Sequence, residues 1–149
     1  MQLGQFHQAQ RCYEYVSKNG NANSDLWARL AQTALARGDL DRAGLWAQKA
    51  ILLKKDHSEA LIVMAYISFQ KRQYRDAEVI LRRLIKLDNK NTITQCLLGK
   101  TLEAQGQTDE AIQCYQRARY LDPKDPLARK LLTSIVNLNI SNKPAQSRL

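Results

Sequence analysis

The chain contains 149 residues, of which 44% are hydrophobic, and it carries a formal net charge of +9 at pH 7. This length supports one domain with a full apolar core, and no apolar run approaches the ~20 residues that cross a bilayer. The amino end, Met1–Phe6, lacks the basic and then apolar pattern of a signal peptide, so we expect neither membrane insertion nor export.

The first predicted element is the second half of a helical hairpin, over residues 1–23. Small and aromatic residues recur there at helical spacing, namely Gly4, Phe6, Ala9, Tyr13 and Val16. Because so few residues precede this stripe, the hairpin would lack most of its first helix. We expect either a piece of a longer array or an apolar surface covered by self-association or a partner, and we favour the piece of a longer array.

Residues 24–57 are predicted to form one complete hairpin. Ser24 and Asp25 are typical of a helix start, because a hydroxyl caps free amides and an acid is stabilised at the positive helix end. Gly38 supplies the left-handed conformation that ends a helix, and Asp39 begins the second one. The apolar stripes that would face each other are Trp27, Leu30, Ala31 and Ala34, and Leu40, Ala43, Ala47 and Ala50.

The same plan repeats over residues 58–91 and 92–125, in steps of 34 residues. Arg72 stands where the other hairpins have glycine, so we expect a slightly altered turn there. Pro123 ends the last of these helices, since proline lacks an amide and clashes with the preceding turn. The period is kept by Ala43, Ala77 and Ala111, by Leu30, Met64 and Leu98, and at twice the spacing by Gly38 and Gly106. A fixed period of this length is the signature of a solenoid of helical hairpins.

A terminal helix is predicted over residues 126–140, followed by a polar, disordered tail over 141–149. The last helix of an array usually has a polar outer face. This one carries Leu132, Ile135 and Val136 on its packing side and also a second apolar stripe, which a simple cap does not need. The second stripe consists of Leu127, Leu131 and Leu138. It fits the same two explanations as the incomplete first hairpin.

These residues resemble the tetratricopeptide-repeat (TPR) family, whose pattern has a large residue, Leu-Gly or Leu-Ala, Tyr, Ala, an aromatic residue, Ala and Pro. The best matches are Leu98, Gly99, Ala111, Tyr115, Ala118 and Pro123. The resemblance covers at least Ser24–Asp125, and its departures are Gln95 at a large apolar position and missing prolines at Lys55 and Asn89. It implies an all-α, right-handed solenoid of antiparallel hairpins with a capping helix. It also implies protein–protein interaction, by a scaffold or adaptor or by a small chaperone.

No arrangement of residues is typical of catalysis. His7 and His57 are the only histidines, and we expect His57 to cap a helix at the surface. The three cysteines, Cys12, Cys96 and Cys114, form no Cys-x-x-C pair and have no histidine at metal-ligand spacing. We therefore expect no enzyme, no metal, no cofactor and no disulfide framework, but reduced cysteines packed on or beside helix faces in the cytoplasm.

The carboxyl end, Ser147–Leu149, resembles a peroxisomal address and would also suit a PDZ groove. A match of three residues to such patterns often occurs by chance, so we favour neither a peroxisomal address nor a PDZ ligand. The favoured location is the cytoplasm.

The family resemblance implies that the first helix of each hairpin lines a concave groove that holds a partner. The middle of this groove would be apolar and aromatic, with isolated charges from Arg29 and Lys100. Such a surface suits an amphipathic helix or an extended peptide with hydrophobic anchors, and Tyr66 and Phe69 are the strongest anchor candidates. The alternative is that several of these side chains contact neighbouring repeats. The predicted groove residues are Arg29, Gln32, Ile62, Val63, Tyr66, Phe69, Cys96 and Lys100.

Relatives that hold the acidic carboxyl-terminal tails of heat-shock chaperones use a clamp of Lys, Asn and Arg across consecutive first helices. None of the residues at the matching positions gives a charged, bidentate grip on a carboxylate. These residues are Ala28, Gln32, Val63, Ile93 and Leu97. We therefore do not expect a cochaperone that binds such tails.

A basic cluster on the turn and the second helix of the hairpin at 58–91 indicates another class of partner. Its charges could contact phosphates or dock an acidic protein. No aromatic residues interleave it for base stacking, and acids interrupt it, so a solvated convex face is favoured over nucleic-acid binding. The cluster consists of Lys71, Arg75, Arg82, Arg83 and Lys86.

Overall fold

The computed structural model describes residues 11–13, 15, 16, 18 and 23–142. Within these ranges the chain contains helices and no β-strand, which confirms the predicted all-α class. Two compact units comprise residues 1–67 and 68–149, and the boundary falls inside the third helix named below. The helices are α1 (Ser24–Ala36), α2 (Leu40–Leu53), α3 (Ser58–Gln70), α4 (Tyr74–Leu87), α5 (Thr92–Ala104), α6 (Thr108–Leu121) and α7 (Pro126–Asn142). None of them is long and apolar enough to span a membrane.

Four of the helices begin at a side chain that accepts a backbone N–H of the first turn. The caps and distances are Asn23 for α1 (2.8 Å), Asp39 for α2 (3.1 Å), Asn91 for α5 (3.0 Å) and Asp125 for α7 (2.9 Å). Such caps satisfy amides that have no partner inside the helix. The prediction that Ser24 caps α1 was wrong by one residue, because the side-chain oxygen of Asn23 takes this role and Ser24 is already helical.

The turns between paired helices share one left-handed residue. Gly38 has a φ of 78° and Gly106 a φ of 79°, and Arg72 occupies the same place with a φ of 59°. The expected alteration of the turn at Arg72 is therefore not seen, since the arginine adopts the backbone conformation of the two glycines. A side chain in this conformation costs roughly 1 kcal/mol.

In the first unit, α1 and α2 pair through small residues. Ala31, Ala43, Ala47 and Ala50 are fully buried, which lets the two helices approach closely. Larger side chains of α1 and α3 surround this contact and complete the core, namely Trp27, Leu30, Val63 and Ile67.

An aromatic cluster extends this core toward the amino end. The ring of Tyr13 lies 5.7 Å from that of Trp27 and 5.2 Å from that of Trp46. The Nζ atom of Lys49 lies 4.4 Å from the ring of Trp27 and closes the cluster with a cation–π contact. Tyr13 and Val16 of the predicted half hairpin thus pack in the first unit. Gly4, Phe6 and Ala9, also assigned to it, lie outside the described residues.

In the second unit, α4, α5 and α6 bury a core around Leu81, Leu102 and Tyr115. Polar residues are buried here as well: Gln95 is only 6% exposed, although the family pattern has a large apolar residue at its position. The buried hydroxyl of Thr101 donates a hydrogen bond of 2.8 Å to the carbonyl of Leu97 in the preceding turn, so its burial leaves no unsatisfied donor.

A close contact in this unit occurs where Gly99 of α5 meets the ring of Tyr115 on α6. A Cβ atom at residue 99 would come within 3.0 Å of three ring atoms. The Tyr115 hydroxyl donates a hydrogen bond of 2.8 Å to Oε2 of Glu103, one helical turn further along α5. Burial and then this hydrogen bond raise the pKa of Tyr115 far above its ordinary value.

The last helix, α7, differs from its prediction at two points. It continues to Asn142, so Ser141 and Asn142 belong to the helix instead of to the predicted tail, and 143–149 lie outside the described residues. Leu131, placed in the second apolar stripe, packs against a buried cluster in the second unit. Leu127 and Leu138 of that stripe remain about half exposed.

We expect Gly99→Ala to lower the free energy of unfolding by about 2 kcal/mol, because the new methyl group overlaps the Tyr115 ring. Gly44→Ala is the matched control, since its Cβ would meet only Ile67 Cδ1 at 3.6 Å, an ordinary contact. This control should raise the free energy of unfolding by roughly 0.5–1 kcal/mol through helix propensity. Urea denaturation followed by circular dichroism measures both, and stabilisation by both variants would contradict the packing argument.

Candidate functional site

The first unit contributes five of the predicted groove residues, and four of them reach the surface. Arg29 and Gln32, three residues apart on α1, are exposed. On α3, Ile62 is half-buried and Tyr66 is 37% exposed, so both offer area to a ligand. Val63 is only 2% exposed and belongs to the core of this unit, so its assignment to the groove surface was wrong.

A buried histidine ties the amino ends of α1 and α3 together. His57 is 4% exposed, and its Nε2 atom lies 2.8 Å from Oδ1 of Asp25. Its Nδ1 atom lies 3.1 Å from Oε2 of Glu59 but without the geometry of a hydrogen bond. The expectation that His57 caps at the surface was therefore wrong, because its ring is enclosed between two first-turn acids.

The 34-residue period contains the signal that could have located this contact. Asp25 and Glu59 occupy the same position in consecutive hairpins, and His57 directly precedes the second hairpin. Side chains at equal positions of neighbouring first helices meet when those helices lie side by side. The contact of Asp25 with His57 shows that the amino ends of α1 and α3 lie close together in the first unit.

The second unit contributes Phe69, Cys96 and Lys100. Phe69 is half-buried and its ring lies 5.6 Å from that of Tyr74. The Nζ atom of Lys100, on α5, lies 5.8 Å from the Phe69 ring. The side chains of Phe69 on α3 and Lys100 on α5 are therefore in contact.

Cys96 does not lie on this surface. It is 3% exposed and packs with Ala118 and Ala128, so its assignment to the groove was wrong for the same reason as that of Val63. Burial raises the pKa of the Cys96 thiol to about 11. Burial raises the pKa of Cys114 to about 11 as well, whereas Cys12 is exposed.

The basic cluster is less positive than its sequence indicates. Arg82 donates through Nε to Glu78 at 2.7 Å and through a terminal nitrogen to Glu110 at 2.9 Å. Gln105 donates a third hydrogen bond, of 2.9 Å, to the other Glu78 oxygen. Two carboxylates thus offset the charge of Arg82. Of the remaining members, Lys71, Arg75 and Lys86 are exposed and Arg83 is half-buried.

The hydrogen bonds from Gln105 and Arg82 lower the pKa of Glu78. The hydrogen bonds to Glu78 and Glu110 raise that of Arg82. Both shifts favour the charged forms, so the network ties α4 to α5 and α6 near neutral pH. Among the described residues, no cluster of His, Cys, Asp and Glu side chains is arranged to hold a metal ion.

Comparison with known proteins identifies relatives of the repeat. A family model described as the middle TPR-like domain of cilia and flagella-associated protein 70 matches residues 2–122. Human tetratricopeptide repeat protein 7B is 30% identical over 95 residues, which are 64% of this chain and 11% of that protein. The Drosophila melanogaster protein O-mannosyl-transferase Tmtc3 is 32% identical over 109 residues, which are 72% of this chain and 12% of that protein. The chain spans about a tenth of the length of these relatives.

Solved structures share the fold at lower sequence identity. MamA has a TM-score of 0.76 at 19% identity, over 88% of this chain and 76% of that one. The first TPR of Spaghetti (RPAP3), bound to the HSP90 peptide SRMEEVD, has a TM-score of 0.74 at 18% identity, over 79% of this chain and 94% of that one. These likenesses support the arrangement of helices.

We expect Glu78→Gln to weaken the acid dependence of stability. The lowered pKa of Glu78 in the folded chain adds stability above the unfolded value near 4.5, and this stability is lost as the pH falls through the folded value. The contribution is on the order of 0.5 kcal/mol for so accessible a pair. Urea titrations at pH 7 and pH 3.5 should differ less for Glu78→Gln than for wild type. Asp109→Asn, at an exposed first-turn acid, is the control, and an equal effect there would contradict the network.

We expect Cys12 to react with a thiol reagent before the other two cysteines. At pH 8 a thiol with a pKa of about 11 is only about one thousandth ionised, and burial also blocks access to Cys96. Mass spectrometry after brief alkylation of the folded chain should find Cys12 modified first. The urea-unfolded chain should lose this preference, and equal labelling of all three cysteines in the folded chain would contradict the assigned burial.

Proposed function

Because the chain belongs to the tetratricopeptide-repeat family, we propose that it is a non-catalytic interaction module that holds a peptide or helix of a partner protein. The binding surface would be the exposed faces of α1 and α3 in the first unit and of α3 and α5 in the second. The observation that carries this proposal is the exposure of Tyr66 together with the contact of Lys100 on the Phe69 ring. Aromatic anchors beside a cation are typical of energetically important contacts.

Structures with related folds support a peptide as the ligand. The first TPR of Spaghetti was solved with an HSP90 peptide, and the second TPR domain of human RPAP3 with an HSP70 peptide. For this chain we do not propose such an acidic tail. Of the positions that match the charged clamp, Ala28, Val63 and Leu97 are buried, and Ile93 is exposed but apolar. The proposed ligand is instead a segment with apolar side chains flanked by polar ones.

In its cellular context, we propose that this repeat array serves as one part of a scaffold or adaptor, or as a small chaperone for an apolar client segment. The matched regions are only 11% and 12% of the relatives' lengths, which supports a role within a larger assembly. The free cysteines support a reducing compartment such as the cytoplasm. Self-association remains part of the proposal, since Leu127 and Leu138 on α7 are exposed.

We expect the double variant Tyr66→Ala, Phe69→Ala to bind its partner at least ~10-fold more weakly than wild type, because both anchors are removed. A pull-down from lysate, with nuclease added, identifies proteins that wild type retains and the double variant loses. The isolated partner segment is then titrated against both chains by calorimetry.

The matched control is Tyr15→Ala, Tyr120→Ala, which removes two aromatic side chains that are 70% and 76% exposed and belong to neither α3 nor α5. It should bind like wild type, and circular dichroism should show equal helix content in all three chains. Unchanged affinity of the Tyr66/Phe69 variant would move the binding site away from the first helices.

A further inference from the structure

The positive charge of the chain is concentrated in the second unit. Residues 68–149 contain fifteen lysine and arginine residues and eight aspartate and glutamate residues, so they carry +7 of the total +9. Residues 1–67 contain eight and six, and therefore carry only +2. The proposed peptide surface does not explain this asymmetry, because Lys100 is its only cation in the second unit.

One face of α4 presents much of this charge to solvent. Arg75, Val79, Arg82 and Lys86 follow one another at four, three and four residues, which places them on a single stripe. All four are exposed, Val79 by 70% of its surface, while the opposite side of α4 is buried through Ala77, Leu81 and Leu84. We call these four residues the outer stripe of α4. At 1.5 Å per residue it is roughly 16 Å long.

The charges along the outer stripe are uneven. Arg75 and Lys86, at its two ends, form no ion pair with any residue that the structure describes. Arg82 is offset by Glu78 and Glu110, and Val79 adds a hydrocarbon patch between the ends. The stripe therefore has two separate cations about three helical turns apart, with an apolar contact between them.

The amino end of the stripe opens into a concavity of about 580 Å³. Arg72 and Arg75 bring two positive charges to it, and Asp76 offsets one of them. The full lining is Arg72, Gln73, Tyr74, Arg75, Asp76 and Gln105. A carboxylate side chain could enter this space beside the two arginines. The amino end of the stripe therefore offers a concave site as well as the positive charge of Arg75.

We propose that the outer stripe of α4 is a second docking surface, which binds an acidic helix of another protein. Two acids three turns apart on the partner pair with Arg75 and Lys86, and an aliphatic side chain between them covers Val79. Charge complementarity selects this occupant. Nucleic acid fits less well, because its phosphates would meet Glu78, Glu110 and exposed hydrocarbon in the middle of the stripe, and no aromatic ring on the stripe stacks with a base.

The test uses a helical peptide of sixteen residues, built from Ala, Glu and Leu, with glutamates eleven residues apart and a leucine between them. A peptide of the same composition in scrambled order, a duplex DNA of sixteen base pairs and a single-stranded RNA of sixteen nucleotides serve as comparison probes. Fluorescence anisotropy measures their binding to the full chain at 0.15 M salt, where distant charges are largely screened.

We expect the patterned peptide to bind more tightly than the scrambled peptide and both nucleic acids. Arg75→Glu with Lys86→Glu should weaken its binding at least ~10-fold. The matched control, Lys124→Glu with Lys130→Glu, makes the same change in net charge at two exposed positions off the stripe and should change affinity less than ~2-fold. Val79→Ser, which alters no charge, should weaken binding ~3-fold.

A charge-swapped peptide with lysines in place of the two glutamates should bind the Arg75/Lys86 variant better than wild type, which shows that the variant is folded. Equal losses for the two charge reversals, no binding of the patterned peptide, or tighter binding of either nucleic acid would each overturn the proposal. The Tyr66→Ala, Phe69→Ala variant should bind the patterned peptide like wild type. Failure of either surface can therefore be distinguished from failure of the other.

Discussion

The close approach of paired helices is the constraint on which the rest of the structure depends. In the first unit it rests on alanines that are completely buried between α1 and α2, such as Ala31, Ala43 and Ala47. In the second unit it rests on Gly99, which leaves room for the ring of Tyr115. A larger residue at any of these positions would separate two backbones, and cores packed to crystal density transmit such a shift to their neighbours. The small residues that recur every 34 positions thus lie where paired helices contact each other.

This packing determines which faces of the helices remain available for binding. A helix that gives one face to its hairpin partner and another to the next hairpin keeps a narrow outer strip. On α3 that strip carries Tyr66, and on α4 it carries Arg75, Val79 and Lys86. The first strip is aromatic and the second is basic, so the two surfaces would select partners of different chemistry.

Much of the fold could be predicted from the sequence because small residues, glycines and helix starts recur in register. The turn at Arg72 shows a limit of that reasoning, since hydrogen bonds of the turn hold the arginine in a glycine-like conformation. Val63 and Cys96 show another limit. Helical periodicity alone indicates which face of a helix, about 100° wide, carries a side chain. Whether a residue at the edge of that face is covered depends on the size of its neighbours.

Contacts between distant residues were the least predictable part of the site. The contact of His57 with Asp25 and the pairing of Arg82 with Glu110 join residues 32 and 28 positions apart in the chain. A sequence read one repeat at a time assigns such residues to the surface. The first contact joins the start of one hairpin to the residue that directly precedes the next, a juxtaposition that the equivalent positions of Asp25 and Glu59 in consecutive repeats indicate. The second also depends on the rotamers of two long side chains, which the period does not specify.

The aromatic cluster around Lys49 has a consequence for spectroscopy. Both tryptophans of the chain, Trp27 and Trp46, lie in the first unit, and the second unit has none. Their emission therefore reports the unfolding of the first unit alone, whereas far-ultraviolet circular dichroism sums the helices of both. In repeat proteins stability is approximately a sum of local terms and neighbour terms. Denaturation curves from the two signals that do not coincide would show that the chain unfolds in more than one step.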